Sequence, residues 1–377
     1  MSDKNKKTLK RSWRKVKFGD VVRLSKARSH DPLADGFTRY VGLEHLEPGG
    51  LRIRSWGNVA DGVTFTNVFQ PGQVLFGKRR AYQRKVAVAN FAGVCSGDIY
   101  VLETKDARVL LPDLLPFICQ TDAFFDHAVG TSAGSLSPRT NWTSLADFDF
   151  LLPPIEMQRR ALIVLGAGLV AIDELRAAKD SLPSLRRSME NRLLSMGGVR
   201  RQNVGDIAKF TSGKSIRVSD LPKIPSDANW VPVFGGNGIS GYTDTVMDGT
   251  SEPTVAIGRV GQFCGVTSMT PGPCWITDNA LYPLTMSPDI LPEFLAICLR
   301  ASNLNLSKLG EYLPLITQEV VHRIEIPIPP LSVQSVAVME FAQLEVIESS
   351  LMNRLLSTRS LVKDVASRML KGGANVV

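Results

Sequence analysis

Pro153-Pro154-Ile155-Glu156-Met157-Gln158 returns, with both prolines and the glutamine in place, as Pro329-Pro330-Leu331-Ser332-Val333-Gln334. Each copy closes a segment rich in strand formers and opens a long run of apolar residues at helical spacing. Other landmarks recur in the same order: Gly19-Asp20 with Gly205-Asp206, Gly77-Lys78 with Gly258-Arg259, Leu111-Pro112-Asp113 with Leu291-Pro292-Glu293, and Gly197-Gly198 with Gly372-Gly373. A recurrence of roughly 180 residues is too long for a solenoid unit, so it marks a duplicated domain. Two similar domains on one chain imply two similar binding events held at a fixed separation.

Before each Pro-Pro junction the sequence reads as mixed strand, turn and short helix. Val16 to Leu24, Thr38 to Leu43, Gln73 to Gly77, Lys85 to Ala89 and Ile99 to Glu103 have strand composition, punctuated by Gly, Pro, Asn and Asp. Leu110 to Thr121 and Asp122 to Val129 read as helices. After the first junction Leu162, Leu165, Leu169, Ile172, Leu175, Leu182, Leu185, Met189 and Leu193 fall on one helical stripe, and Gly197-Gly198 ends it. Pro183 removes a backbone donor there and is expected to kink or split the helix. After the second junction Val338, Phe341, Leu344, Ile347, Leu351, Leu355, Val365 and Met369 repeat the stripe as far as Gly372-Gly373. Each helix spans about 40 residues, or roughly 60 Å at 1.5 Å per residue. A small domain offers too little surface to bury a stripe of that length, so its natural partner is the other helix.

The chain has 377 residues and a formal net charge of +8, enough length for two cores and an excess that favours a polyanionic partner. Much of the excess lies in Lys4, Lys6, Lys7, Lys10, Arg11, Arg14, Lys15 and Lys17, opposed only by Asp3. This is either a solvated tail or a phosphate-contacting arm. Cys95, Cys119, Cys264, Cys274 and Cys298 are odd in number and scattered, without a Cys-x-x-Cys pair. That pattern fits reduced thiols in a cytoplasmic protein better than a disulfide framework or zinc site. The start of the chain has no apolar signal region, and the run from Ala161 to Ile172 is too short to cross a bilayer.

The ordered set of motifs resembles the specificity subunits of type I restriction-modification systems. Gly205-Asp206-Ile207-Ala208 with Ser212-Gly213-Lys214 resembles the opening of a recognition domain. Val233-Phe234-Gly235-Gly236-Asn237-Gly238-Ile239-Ser240-Gly241-Tyr242 resembles a segment common in these domains. Tyr40 to Leu46 and Gly130 to Ser137 resemble landmarks of a second subtype, and both Pro-Pro junctions resemble the starts of the family's spacer helices. The resemblance implies a mixed α+β (α/β) fold with two target-recognition domains. Two long helices forming an antiparallel coiled coil would join them in a pseudo-twofold internal repeat. The corresponding boundaries are a basic tail at 1–12, recognition domains at 13–153 and 199–328, and spacer helices at 154–198 and 329–373. It further implies a non-catalytic subunit that reads a bipartite, asymmetric site on double-stranded DNA. Such a subunit scaffolds two methyltransferase subunits, which use S-adenosylmethionine, and two motor-nuclease (restriction) subunits, which use ATP with Mg; the chain itself would bind no cofactor. Three other readings stay open: the separate recognition subunit of a related system with fused methylase and nuclease, an enzyme with an unusual site, and a coiled-coil adaptor that binds only proteins.

The residues themselves carry no common catalytic signature. Neither Pro-Pro pair is preceded by the Asn or Asp that clamps a target amine. Gly236-Asn237-Gly238-Ile239-Ser240-Gly241 fits G-x-G-x-x-G, but Tyr242 to Val246 is no helix, so it reads as a turn with close backbone approach. Gly213-Lys214-Ser215 lacks the first glycine of a phosphate loop, since Ala208 stands there. His30, His45, His127 and His322 show no metal-ligand spacing.

The best DNA-reading candidate is the stretch from Gly77 to Lys85. Lys78, Arg79, Arg80, Arg84 and Lys85 are joined there by Tyr82 and Gln83. Arginine grips guanine or phosphate through two bonds, and glutamine does the same for adenine. A second candidate runs from Ser132 to Trp142, where Ser135, Ser137, Arg139, Thr140 and Asn141 offer polar groups and Trp142 reads as core. In the second domain Arg259 leads, followed by Gln262, Lys214, Asn237, Tyr242, Asn279, Lys308, Tyr312 and Gln318.

If the paired helices act as a ruler, their length sets the gap between half-sites. Removing about one turn, roughly four residues, from both helices in register should shorten the gap. Methylation mapping that finds the same gap would refute this.

Overall fold

The structure, a computed structural model, describes residues 13–304 and 314–371. The basic tail at 1–12, Lys308, Tyr312 and Gly372-Gly373 lie outside the described residues. The chain divides into two compact units, one of residues 1–176 and 353–377 and the other of 177–352. Each is described on its own.

In the first unit the order is β1 (Arg14–Lys17), α1 (Phe18–Val21), β2 (Val22–Leu24), β3 (Arg39–Val41), β4 (Gly57–Asn58), β5 (Asn67–Phe69), β6 (Val74–Gly77), β7 (Val86–Val88), β8 (Gly93–Cys95) and β9 (Ile99–Thr104). Then come α2 (Leu115–Cys119), α3 (Asp122–Gly130), α4 (Trp142–Ala146), β10 (Asp149–Leu152) and the first part of α5 (Ile155–Leu194). The second unit holds β11 (Arg200–Asn203), α6 (Val204–Ile207), β12 (Ala208–Ser212), β13 (Val231–Gly235), β14 (Gly238–Thr243), β15 (Val255–Gly258), β16 (Thr267–Met269), β17 (Trp275–Ile276) and β18 (Ala280–Met286). It ends with α7 (Pro292–Ala301), α8 (Gln318–His322), β19 (Glu325–Ile328) and the first part of α9 (Leu331–Leu370).

The duplication read from sequence is a duplication of topology. Sheet order β2-β9-β6-β7 in the first unit matches β12-β18-β15-β16 in the second. The parallel pair β3/β8 matches β13/β17, and the antiparallel pair β1/β10 matches β11/β19. The shared Gly-Asp landmark has a steric cause. A Cβ on Gly19 would sit 2.7 Å from the Ala146 Cβ, and one on Gly205 would sit 2.7 Å from the His322 Cβ. Only glycine lets the first helical turn of each unit press onto the helix that precedes the junction.

Two sequence expectations are corrected here. Val16 to Leu24 is not one strand, because Phe18–Val21 coils into a helical turn. Phe18 is buried at 0% exposure, its N–H donates to the Phe148 carbonyl at 2.8 Å, and its ring lies 4.8 Å from Phe124. Packing overrides strand propensity there. Leu110 to Thr121 is split into a 3-10 turn at Pro112–Leu114 followed by α2, with proline near the start of each piece. By contrast α5 runs unbroken through Pro183. In its own unit that part of α5 is tied to α9 by Arg186–Glu348 at 3.2 Å and Arg192–Glu340 at 2.7 Å, and Leu193 shares a core with Ala337 and Phe341. The split expected at Pro183 therefore does not occur.

The long helices pair antiparallel within each unit. In the first, Ala161 and Leu165 of α5 join Ala366, Met369 and Leu370 of α9 in one core. A Cβ on Gly168 would meet Val362 Cγ2 at 2.4 Å, so the backbones approach closely. Trp13 Nε1 donates to the Met369 carbonyl at 3.2 Å.

The repeated Pro-Pro junction is organised by its glutamine. Gln158 has 0% exposure; its Oε1 accepts from the Leu111 N–H at 2.9 Å, and its Nε2 donates to the carbonyls of Val109 and Pro153, each at 2.9 Å. Gln334, also at 0%, accepts from the Leu291 N–H at 2.9 Å and donates to the carbonyls of Asp289 at 2.7 Å and Pro329 at 2.8 Å. One side chain thus ties the helix start to the Leu-Pro turn in each unit. Replacing Gln334 with leucine keeps the volume but strands the groups it bonds. Unsatisfied buried groups cost about 1–3 kcal/mol each, so we expect a loss of roughly 3 kcal/mol. A lower urea midpoint with an unchanged slope for the second unit's transition checks it.

Candidate nucleic-acid interface

β6 is an inner strand, buried along its length, and delivers the chain to Lys78 just past its end. The loop returns as β7 through a 3-10 turn at Ala81–Gln83. Arg80 and Arg84 flank that turn in the left-handed region, at φ 52° and 56°. For an arginine this costs about 1–2 kcal/mol and needs external support. Ala81 supplies some of it by being buried, with the Gln83 and Arg84 N–H groups closing onto the carbonyls of Arg80 and Ala81.

The rest comes from the second candidate segment, which the fold brings against the first. Ala133 and Arg139 exchange backbone hydrogen bonds at 3.0 and 2.9 Å, making a short hairpin. The Arg80 N–H donates to the Pro138 carbonyl at 2.7 Å, and the Thr140 N–H to the Lys78 carbonyl at 3.0 Å. Their side chains converge as well. Arg79 Nη1 and Arg139 Nε donate to the two oxygens of Asp98 at 3.3 and 2.8 Å. Arg79 and Arg80 both donate to Ser137 Oγ, at 3.0 and 3.2 Å. Burial alone would raise the Asp98 carboxyl, but bonds and charge from Arg139 and Arg79 outweigh it and hold the group below the usual carboxylate range. One carboxylate therefore gathers an excess of guanidinium charge on two crossed loops.

The other proposed readers in this unit are placed differently. Lys78 Nζ lies 4.8 Å over the Tyr100 ring, and Lys85 Nζ donates to the Leu43 carbonyl at 2.7 Å. Arg84 stacks at 4.7 Å on Phe125 and bonds Asp122 at 2.5 Å, a carboxylate it shares with Lys363 of α9. Thr140 is buried, and Asn141 caps α4 by accepting from the Ser144 N–H at 2.8 Å. Trp142 packs at 6.2 Å from Phe18 and 6.5 Å from Tyr100. Tyr82 and Ser135 are exposed, and Gln83 is half-buried.

The second unit keeps the backbone scaffold and changes the side chains. The Arg259 N–H donates to the Asn279 carbonyl at 2.8 Å, as Lys78 does to Asp98 at 2.9 Å. The Ile316 N–H donates to the Arg259 carbonyl at 2.9 Å, and Gly261 to Pro314 at 3.0 Å. Arg259 Nη1 reaches the Asp278 carbonyl at 3.3 Å, and Gln262 sits exposed on the following 3-10 turn. Asn237 is exposed at the tip of the β13/β14 hairpin, whose Gly235 and Gly238 pair, so the G-x-G-x-x-G segment is a turn. A Cβ on Gly236 would lie 3.4 Å from the Gly258 Cα, which sets Asn237 near Arg259. Lys214 is exposed, 3.9 Å from Asp248; Tyr242 is half-buried, and Gln318 opens α8.

The histidines serve the backbone. His45 Nδ1 accepts from the Gly42 N–H, His127 Nε2 meets the Ser144 carbonyl, and His322 Nε2 accepts from the Phe210 N–H. His30 is exposed. Burial pushes the Cys95 and Cys298 thiols up to about 12, so neither is a ready nucleophile. Among the described residues no cluster of three or more His, Cys, Asp or Glu could hold a metal ion, and no helix is long and apolar enough to cross a membrane. Asp98 is the residue sequence reading missed. Nothing local links it to an arginine 41 positions away.

No family model matches the chain. It is 28% identical over 150 residues to the type I restriction enzyme EcoDI specificity subunit of Escherichia coli, a match covering 39% of this chain and 32% of that protein. The chain thus aligns with about a third of the length of that curated relative. Its fold matches a chain from a solved type I R-M system over 97% of this chain and 98% of that one, with a TM-score of 0.62 at 19% identity. It also matches the type I restriction-modification S subunit from M. genitalium over 95% and 96%, with a TM-score of 0.61 at 14% identity. The resemblance read from sequence is therefore the one that both kinds of comparison return, and the fold is shared nearly end to end.

Because its carboxyl is held low, Asp98 braces the two loops fully above about pH 4, and the brace fades as pH falls through the lowered value. Asp98→Asn should remove that acid-dependent part. Amide exchange should quicken at Arg80 and Arg139 with the β6/β9 core unchanged, for a loss of about 1 kcal/mol at this half-buried, partly screened site.

Proposed function

We propose that this chain is the DNA-reading, non-catalytic specificity subunit of a type I restriction-modification system. One observation carries the reading: the same backbone scaffold occurs twice, and each copy presents a different set of cationic and polar side chains. A duplicated frame with divergent tips is what a reader of two unlike half-sites needs. The recognition domains are assigned to 13–153 and 199–328, and the spacer helices to 154–198 and 329–373. The likeness to a specificity subunit and to a chain of a type I assembly supports extending the partners to this chain.

In the first domain Arg79, Arg80 and Arg139 form the core of the proposed surface. Their guanidiniums take phosphates or the O6 and N7 of guanine through paired donors. Tyr82, Gln83, Ser135 and Ser137 complete the reading edge. Lys78, Arg84, Lys85, Thr140 and Asn141 shape and charge the loops from behind. In the second domain Arg259, Gln262, Asn237 and Lys214 do the reading, with Lys308 and Tyr312 assigned there from sequence alone.

The chain would contribute no bond-making chemistry. Two methyltransferase subunits would bring S-adenosylmethionine, and two motor-nuclease subunits would bring ATP with Mg, acting on cytoplasmic DNA. The buried thiols suit a reducing compartment.

Arg79→Ala with Arg80→Ala should weaken DNA binding by the assembled complex about tenfold or more. It should also flatten the dependence of log K on log salt by about 2 if both groups neutralise phosphates. Exposed Arg108, already paired with Asp106 at 2.9 Å, serves as control, and Arg108→Ala should change neither. Unaltered affinity and salt slope in the double variant would refute the assignment.

A further inference from the structure

The hairpin of residues 133–139 ends in Ser135-Leu136-Ser137, and Leu136 is 90% exposed. No other large apolar side chain among the described residues stands so far out; Ile224 follows at 78% and Ile163 at 74%. Single exposed leucines are ordinary on protein surfaces, so exposure alone decides nothing. The mounting decides. Gly134, at φ 108°, turns the chain where a side chain would be strained. Ala133 and Arg139 staple the hairpin's base through both backbone bonds, and Arg80 holds it through the Pro138 carbonyl. Arg79 and Arg80 grip the neighbouring Ser137 hydroxyl. Leu136 is thus held out on a braced tip, between two small serines and beside three arginines.

We propose that Leu136 is an apolar base-contacting residue, which enters the DNA groove at the point where Arg79, Arg80 and Arg139 grip the duplex; this rests on the DNA-reading assignment above. Side chains of this kind touch a thymine methyl or wedge into a base step. The chemistry is the same in both: apolar surface leaves water against the flat or methylated part of a base. A protein partner fits less well. Protein contacts bury contiguous apolar patches, whereas the flanks of Leu136 are Ser135, Ser137 and cationic groups. The contact carries no charge, so it discriminates between sequences without altering the electrostatic part of binding.

The test uses the full chain co-purified with its methyltransferase subunits, selected against a library of randomised duplexes, then titrated on the enriched duplex and on a shuffled one. Leu136→Ala should lower affinity for the enriched duplex roughly tenfold, which is the scale of burying one leucine. It should relax preference at one position or step, leave shuffled-duplex binding and the salt slope unchanged, and be rescued by Leu136→Met. Replacing thymine by deoxyuridine in the enriched duplex separates the modes. If the methyl is the contact, that replacement reproduces the loss and Leu136→Ala becomes insensitive to it; if a step is wedged, it does neither. An unchanged preference and affinity in Leu136→Ala would overturn the inference while leaving DNA reading intact. So would a loss of complex assembly with DNA preference retained, which would make the tip a protein contact. If the unaltered complex enriches no sequence at all, the DNA-reading assignment fails and this inference with it.

Discussion

Gln158 and Gln334 hold together what would otherwise be separable parts. Each is the fourth residue of a long helix, fully buried, with both amide nitrogen bonds and its oxygen bond made to backbone. A buried amide left unpaired is costly, and a fully paired one admits one geometry. The glutamine therefore fixes where the helix begins against the Leu-Pro turn that leads into the domain's own short helix. Two prolines ahead of it prevent the helix from starting earlier, since the residue before a proline is kept out of the helical region. With the start of each helix set, the stripe of apolar residues meets its partner stripe at one register. The candidate loops of each unit are carried on that frame.

Charge is treated differently from shape. All five cations of the first candidate loop are half-buried: Arg79 and Arg80 bond Asp98 and Ser137 of the candidate surface, and the others are spent on the body of the domain. Arg84 lies on Phe125 and against Asp122, which also takes Lys363 from α9. Other links run from the same domain to the helices: Arg176 with Glu47 at 2.7 Å, and Arg54 with Asp173 at 2.5 Å. These partly screened pairs add little stability singly. Their effect is orientational, since they stop the domain from rolling on its own part of the helix pair.

How much of this was legible depended on the range of the interactions. The duplication, the long helices and the turn at Gly236-Asn237 were written locally, as spacing, periodicity and glycine. So was the density of cations after Gly77. The Gln158 and Gln334 positions stood out as repeated letters, but their bonds reach 47 and 43 residues back along the chain. Those bonds have no local mark. Phe18–Val21 misread as strand because its β-formers are governed by Phe148, Phe124 and the Gly19 contact with Ala146. The meeting of Arg79, Arg139 and Asp98 was hidden for the same reason. The left-handed backbone at Arg80 and Arg84 was hidden too, since arginine gives no hint of it. Pro183 was legible as a break, but the helix is continuous through it.

Beside the side-chain brace at Asp98, main-chain bonds knit each candidate loop into place: Lys78 to Asp98, Thr140 to Lys78 and Arg80 to Pro138 in one unit, and Arg259 to Asn279, Ile316 to Arg259 and Gly261 to Pro314 in the other. Main-chain donors and acceptors are the same whatever residue carries them, proline apart. Substitutions at the tips therefore leave the scaffold's bonding largely intact, and most surface changes of this sort shift stability by about half a kcal/mol or less. Tip chemistry and folding are in this way nearly independent inheritances of the same chain. For the proposed reader, a lineage can drift from one half-site to another through intermediates that all fold, and it can alter one unit's tips while the other's are left alone.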